Sequence, residues 1–145
     1  MKDCDRIAPK KELPMFRPFL AAACLAFPAA AQDVDCANAI TQMDMNQCAY
    51  ADWEAADAEL NTAYKRAMTL LRGWDDNLPK NEQGGVLLLK EAQRAWITFR
   101  DKACAAEGYG MKGGSAEPLV IYGCMLQLTE ERTAHLTALF DAYAE

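Results

Sequence analysis

TQMDMNQCAYADWEAADAELNTAYKRAMTLLR, residues 41–72, is the stretch whose reading decides the fold. Met45, Ala49, Trp53, Ala56, Leu60, Ala63, Ala67 and Leu70 recur in steps of three and four, the period that keeps one face of an α-helix inward. Thr41 is placed as an N-cap with Asp44 in the capping-box position, and Gly73 is expected to stop the helix. From Trp74 to Gly85 the chain turns polar and carries breakers, Pro79 and a Gly84-Gly85 pair among them, which predicts a connection. A second helix is predicted from the steps Leu88, Ala92, Trp96, Phe99, Ala103 and Ala106, ending near Glu107. Four glycines then interrupt before Pro118 opens a third helix, striped by Ile121, Met125, Leu128, Arg132, Leu136, Leu139 and Tyr143. No strand-like alternation occurs, so the expected fold is all-α: a small antiparallel bundle of three main helices with a glycine-rich loop.

At 145 residues, with 52% apolar and 25% charged residues, the chain can close one core and is too short for a barrel enzyme. A formal net charge of -6 argues against non-specific binding to nucleic acid or anionic membrane, which needs clustered Lys and Arg, and favours a basic partner. The single histidine, His135, leaves imidazole chemistry almost nothing to draw on and makes a poor metal site by itself. The methionines are scattered as core filler rather than gathered as copper ligands, so no cofactor is expected.

Residues 1–31 read as a secretory signal peptide. Lys10, Lys11 and Arg17 precede an apolar run from Phe19 to Phe27, and Ala29-Ala30-Ala31 supplies a small-residue cleavage site. The run is too short for a transmembrane segment, which needs about 20 apolar residues. Met15 offers an alternative start. Leu20 to Cys24 loosely resembles a lipidation box, but the leucine stands four residues before the cysteine instead of three, and cleavage after Ala31 fits better. Residues 32–145 are then a single domain destined for the periplasm or secretion. Removing five of the 15 Lys+Arg and three of the 21 Asp+Glu leaves that domain a net charge of -8.

Cys36, Cys48, Cys104 and Cys124 remain, and four cysteines in an exported chain imply two disulfides, for which sequence permits three pairings. No paired C-x-x-C knuckle favours zinc. Pairing neighbours, Cys36 with Cys48 and Cys104 with Cys124, is the expected arrangement, because it folds the N-terminal turn back on the first helix and ties both ends of the glycine loop.

Several polar residues stand where the helical pattern would prefer leucine. They lie within Met45-Asn46-Gln47-Cys48-Ala49, Asp57 to Tyr64, Ala92 to Cys104, Gly113-Gly114-Ser115, Cys124 and Leu128-Thr129-Glu130-Glu131-Arg132-Thr133. In order and spacing these segments resemble the LprI-like lysozyme inhibitor family over nearly all of residues 32–145. The resemblance implies an exported, disulfide-bonded helical domain, associated in at least one branch with binding and inhibiting lysozyme.

Read as physics, those motifs are architectural. Asp57, Asn61 and Tyr64 share one helix face, and Gln93, Trp96, Arg100 and Cys104 share another. Antiparallel packing of the first two helices would bring Asp57 or Asn61 against Arg100 and Gln93 as a hydrogen-bonded network that fixes register, with Arg132 on the third helix. Reading Asp57 and Asp101 as a glycosidase pair would require a cleft about 5–10 Å wide between them, which a domain this small rarely has, so a non-enzymatic role is expected.

The loop Tyr109, Lys112, Gly113, Gly114 and Ser115 is the candidate inhibitory element: an ammonium, a hydroxyl and unobstructed backbone donors for the carboxyl groups of a lysozyme cleft, with Tyr109 as an aromatic anchor. Lysozyme, a cationic protein, is the expected partner. The alternative is a structural or scaffolding module of the cell envelope with no lysozyme target. Oligomeric state is not legible.

Overall fold

The computed structural model describes residues 34–143; the expected signal segment, Met15 and Cys24 all lie outside them. The described chain begins with a short 3-10 turn, Cys36–Asn38, followed by α1 (Gln42–Asp76), α2 (Gly85–Gly108), a second 3-10 turn, Tyr109–Met111, and α3 (Glu117–Asp141). There is no strand among the described residues. At about 1.5 Å per residue, the 35 residues of α1 span roughly 52 Å and outreach the other two helices.

α1 begins where its sequence says it should: the Thr41 hydroxyl accepts from the Asp44 amide, and the Asp44 carboxylate accepts from the Thr41 amide. It does not stop at Gly73. The helix runs on to Asp76 and ends at Asn77, whose side chain donates to the Gly73 carbonyl at 2.7 Å. A mid-helix glycine costs only about 1 kcal/mol relative to alanine. The extra turn is anchored by Asp75, whose carboxylate accepts the amides of Gly84, Gly85 and Val86 at 2.9–3.0 Å. Asp75 thus caps the N-terminus of α2 from the end of α1, satisfying donors that Gly84 has no side chain to reach.

Four contacts fix the topology. Asp57 meets Arg100 and Gln93 meets Arg132, so α2 runs antiparallel to both neighbours. Asn46 meets Ser115 near one end, while Trp74 meets Tyr143 at the other, so α1 and α3 run parallel. The bundle is up-down-up, and α1 packs chiefly on α3. Its dry centre is Leu60, Ala63, Ala67, Leu89 and Leu136, flanked by Tyr64, Met68, Leu71 and Trp96. The first helix therefore buries the face its period predicts.

α2 does not. Leu88 and Phe99 were expected inward but are 69% and 59% exposed, while Leu89, Gln93, Arg100, Cys104 and Gly108 are buried. The inward face is the one carrying Gln93, Trp96, Arg100 and Cys104, and its polar groups find partners on α1 and α3 instead of yielding to a greasier stripe.

Both disulfides join sequence neighbours: Cys36 to Cys48 and Cys104 to Cys124. Each closure contributes on the order of 2–4 kcal/mol by restricting the unfolded chain. Beside the second, α2 and α3 approach closely at Gly108, where an added Cβ would stand 2.5 Å from Ile121 Cγ1.

Two outcomes follow. Gly108→Ala overpacks this crossing and should lower stability by about 1–3 kcal/mol, measured by denaturant titration. The Asp75 carboxyl is held below its ordinary pKa by the amides of Gly84, Val86 and Gly85. A lowered folded pKa contributes stability above the unfolded value that is lost as pH falls through the folded one, so this contribution is complete at pH 7, begins to decline near about pH 4 and is lost as the pH falls through the lowered folded pKa. Asp75→Asn should melt earlier than the parent at pH 7, with the gap closing in acid.

Candidate functional site

The glycine-rich segment is shorter and more ordered than its composition suggests. α2 continues to Gly108, a 3-10 turn takes Tyr109–Met111, and only residues 112–116 connect to α3. Gly113 sits at φ 77°, the left-handed region that glycine enters without penalty. Glu117, in the first turn of α3, organises the tip: its carboxylate accepts the Gly113 amide at 2.7 Å and faces the Lys112 ammonium at 3.3 Å. Those partners, the Gly113 amide foremost, hold the Glu117 carboxyl below its ordinary pKa. The Gly114 amide donates to the Met111 carbonyl at 2.8 Å, and the Ser115 carbonyl accepts from Asn46 on α1 at 2.9 Å.

Of the donors expected to face a partner, the two glycine amides are therefore engaged within the tip and maintain its shape. What the tip presents outward is Tyr109, 70% exposed, together with Met111, Ser115 and the Lys112 side chain, 67% exposed. Beneath it lies the buried Cys104–Cys124 bond. A protruding surface tied down this way loses less conformational entropy on contact than a free loop would.

Nine residues before Tyr109, on α2, the polar network assembles around Arg100. The guanidinium side chain is 7% exposed. Its Nη1 donates to Asp57 Oδ1 at 3.1 Å, and its other edge meets Asp101 Oδ1 at 3.0 Å. The Trp96 and Trp53 rings lie 5.1 and 5.5 Å from its centre. Trp53 in turn stacks on Tyr122, and Tyr50 closes the cluster edge-on to both. Asp57 and Asp101, weighed as a carboxylate pair, bind two edges of one cation.

Asn61 supports Asp57 from within α1 at 2.9 Å, whereas Tyr64 joins the apolar core. Gln93 accepts from Arg132 Nε at 3.0 Å, so Gln93 serves α3 and not α1. The roles of Asp75, Glu117 and Asn46 were missed by sequence reasoning, since each acts across a turn or between helices with no local signature. The Tyr50-Trp53 spacing of three was the one signal for the aromatic cluster.

Arg100→Leu should destabilise the fold by an amount between the about 0–1 kcal/mol of an exposed pair and the about 3–5 kcal/mol of a buried one, since Asp57 keeps partial access to water. Thermal and urea denaturation measure it. An unchanged midpoint with lost binding would place Arg100 in a contact surface instead.

The family model described as Lysozyme inhibitor LprI matches residues 35–136. The uncharacterized protein R02472 of Rhizobium meliloti (strain 1021) is 42% identical over 124 residues, covering 82% of this chain and 89% of the relative. Among solved structures, a DUF1311 family protein from Pseudomonas putida KT2440 is similar with a TM-score of 0.59 and 25% identity, covering 69% of this chain and 94% of that one. DUF1311 and LprI are the same family.

Proposed function

Since the chain belongs to the LprI lysozyme inhibitor family, we propose that it is an exported protein that binds and inhibits lysozyme in the periplasm or cell envelope. The observation that carries the reading beyond family membership is the tip at residues 109–115: a projecting cation and aromatic ring on a disulfide-stapled turn. Two disulfides fit an oxidising compartment. No described helix is long and apolar enough to cross a membrane.

Lysozymes cleave with two carboxyl groups lining a cleft, one kept protonated and one ionised. An occluding element should bring positive charge and donors to them. Lys112 does this by exchanging its exposed pairing with Glu117 for the ionised cleft carboxylate, while Ser115 offers a hydroxyl. Tyr109 packs on the cleft wall as the anchoring ring. Glu117 keeps the Gly113 amide and so preserves the turn while its lysine is released. The surrounding acidic surface, net -8 over residues 32–145, meets the basic rim of the enzyme and mainly raises the association rate.

The test is a turbidity assay of lysozymes of several types acting on cell walls. Lys112→Ala should weaken inhibition at least tenfold without lowering the melting temperature, and raised salt should slow association of the parent. Undiminished inhibition by a variant carrying a neutral Gly/Ser linker in place of residues 109–115 would refute the tip as the inhibitory element. Absence of inhibition by the parent against every type would leave the scaffolding role.

A further inference from the structure

At the opposite end of the bundle from the tip, the second half of α1, the first turns of α2 and the second half of α3 leave an open trough of about 320 Å³. Leu71, Leu88, Leu89, Leu136 and Leu139 form its walls, and Arg132 and His135 supply its polar side. We propose that this trough binds a single-chain anionic amphiphile, with its acyl chain along the leucines and its carboxylate or phosphate head on Arg132. The proposal stands apart from lysozyme inhibition and does not depend on it.

Arg132 is the reason for an anion. Its guanidinium donates to the neutral Gln93 Oε1 at 3.0 Å and to His135 Nδ1 at 3.2 Å, and it pairs with no carboxylate among the described residues. Arg100, by contrast, has two carboxylates, and Arg66 has Asp141 and the Phe140 ring. Burial is also what lowers the Arg132 pKa, the signature of a cation partly desolvated without an opposing charge. A guanidinium can only donate, so in this contact His135 Nδ1 accepts, which leaves Nε2 as the ring nitrogen that donates outward. One wall of an apolar trough thus holds a half-buried cation lacking a counter-ion and a neighbouring N–H.

The dimensions favour a chain over a bare anion. Beyond Leu71 on α1 come Trp74 and Leu78, and one turn beyond Leu139 comes Tyr143; with Asn77 these line a further space of about 520 Å³. From Arg132 to Tyr143 the helix rise amounts to roughly 16 Å. Leu88, at the lip, is 69% exposed, an apolar side chain that an acyl chain would cover. The walls offer side-chain carbon and no unpaired backbone, so an extended peptide would have its own amides left unmatched.

The experiment titrates the protein with dodecanoate, dodecyl phosphate, dodecanol and dodecyltrimethylammonium below their micellar concentrations, by calorimetry and tryptophan emission. Both anions should bind one per chain, with affinity falling about two- to fourfold for each methylene removed, and the cation should not bind. Tighter binding of the phosphate identifies a phospholipid-type head, and tighter binding of the carboxylate a fatty acid. Arg132→Gln should weaken the anions at least tenfold while sparing dodecanol. Should that variant fail to fold, Leu88→Gln, an exposed substitution, must weaken all ligands that bind. Equal binding of cation and anions, no binding of dodecanoate, or self-association of the protein through this face would overturn the proposal.

Discussion

Arg100 joins α1 to α2, and the Trp53 ring against it stacks in turn on Tyr122 of α3. Its guanidinium is buried, held by a carboxylate from α1 and one from its own helix, with the rings of Trp53 and Trp96 against it. Such a group tolerates only one register: sliding α2 by a residue would turn it to water and leave Asp57 facing carbon. Because Cys104 lies one turn further along the same face, the register fixed by Arg100 also brings the α2 cysteine to Cys124 on α3. The tip at residues 109–115 starts from that bond, so its position on the molecule descends from the Arg100 network.

The two ends of the bundle are finished differently. At the tip end, Glu117 and Asn46 tie the α2–α3 connection to itself and to α1, and the Cys36–Cys48 bond holds the N-terminal turn onto α1 nearby. At the other end, a single carboxylate, Asp75, organises the start of α2, and the apolar faces beyond it stay open around Trp74, Leu78 and Tyr143. One end is closed and presents a shape; the other is open and presents a trough.

Much of this was legible in the sequence where apolar period and local chemistry agree. The α1 stripe, its Thr41-Asp44 capping box and the disulfide pairing were all readable, because each depends on short-range spacing. The α2 stripe was not readable from hydrophobicity, since Gln93 and Arg100 occupy inward positions that only partners on other helices make tolerable; the motif face, taken as a polar-aromatic stripe, pointed the right way. The end of α1 was misplaced because Gly73 is a weak stop, whereas the residue that matters, Asp75, acts on amides nine to eleven positions later. At the tip, glycine content signalled a long loop, whereas α2 runs on to Gly108 and Glu117 holds the remaining turn. That difference arises from one carboxylate whose partners cannot be read from composition.

The claim that the stapled tip is the surface that meets lysozyme is tested most directly by amide hydrogen exchange of the protein, free and mixed with a lysozyme it binds. The account predicts added protection concentrated at residues 109–115 and the adjoining first turn of α3, with the far end of the bundle unchanged. Protection confined to the outer faces of the helices, with the tip exchanging as it does in the free protein, would contradict it.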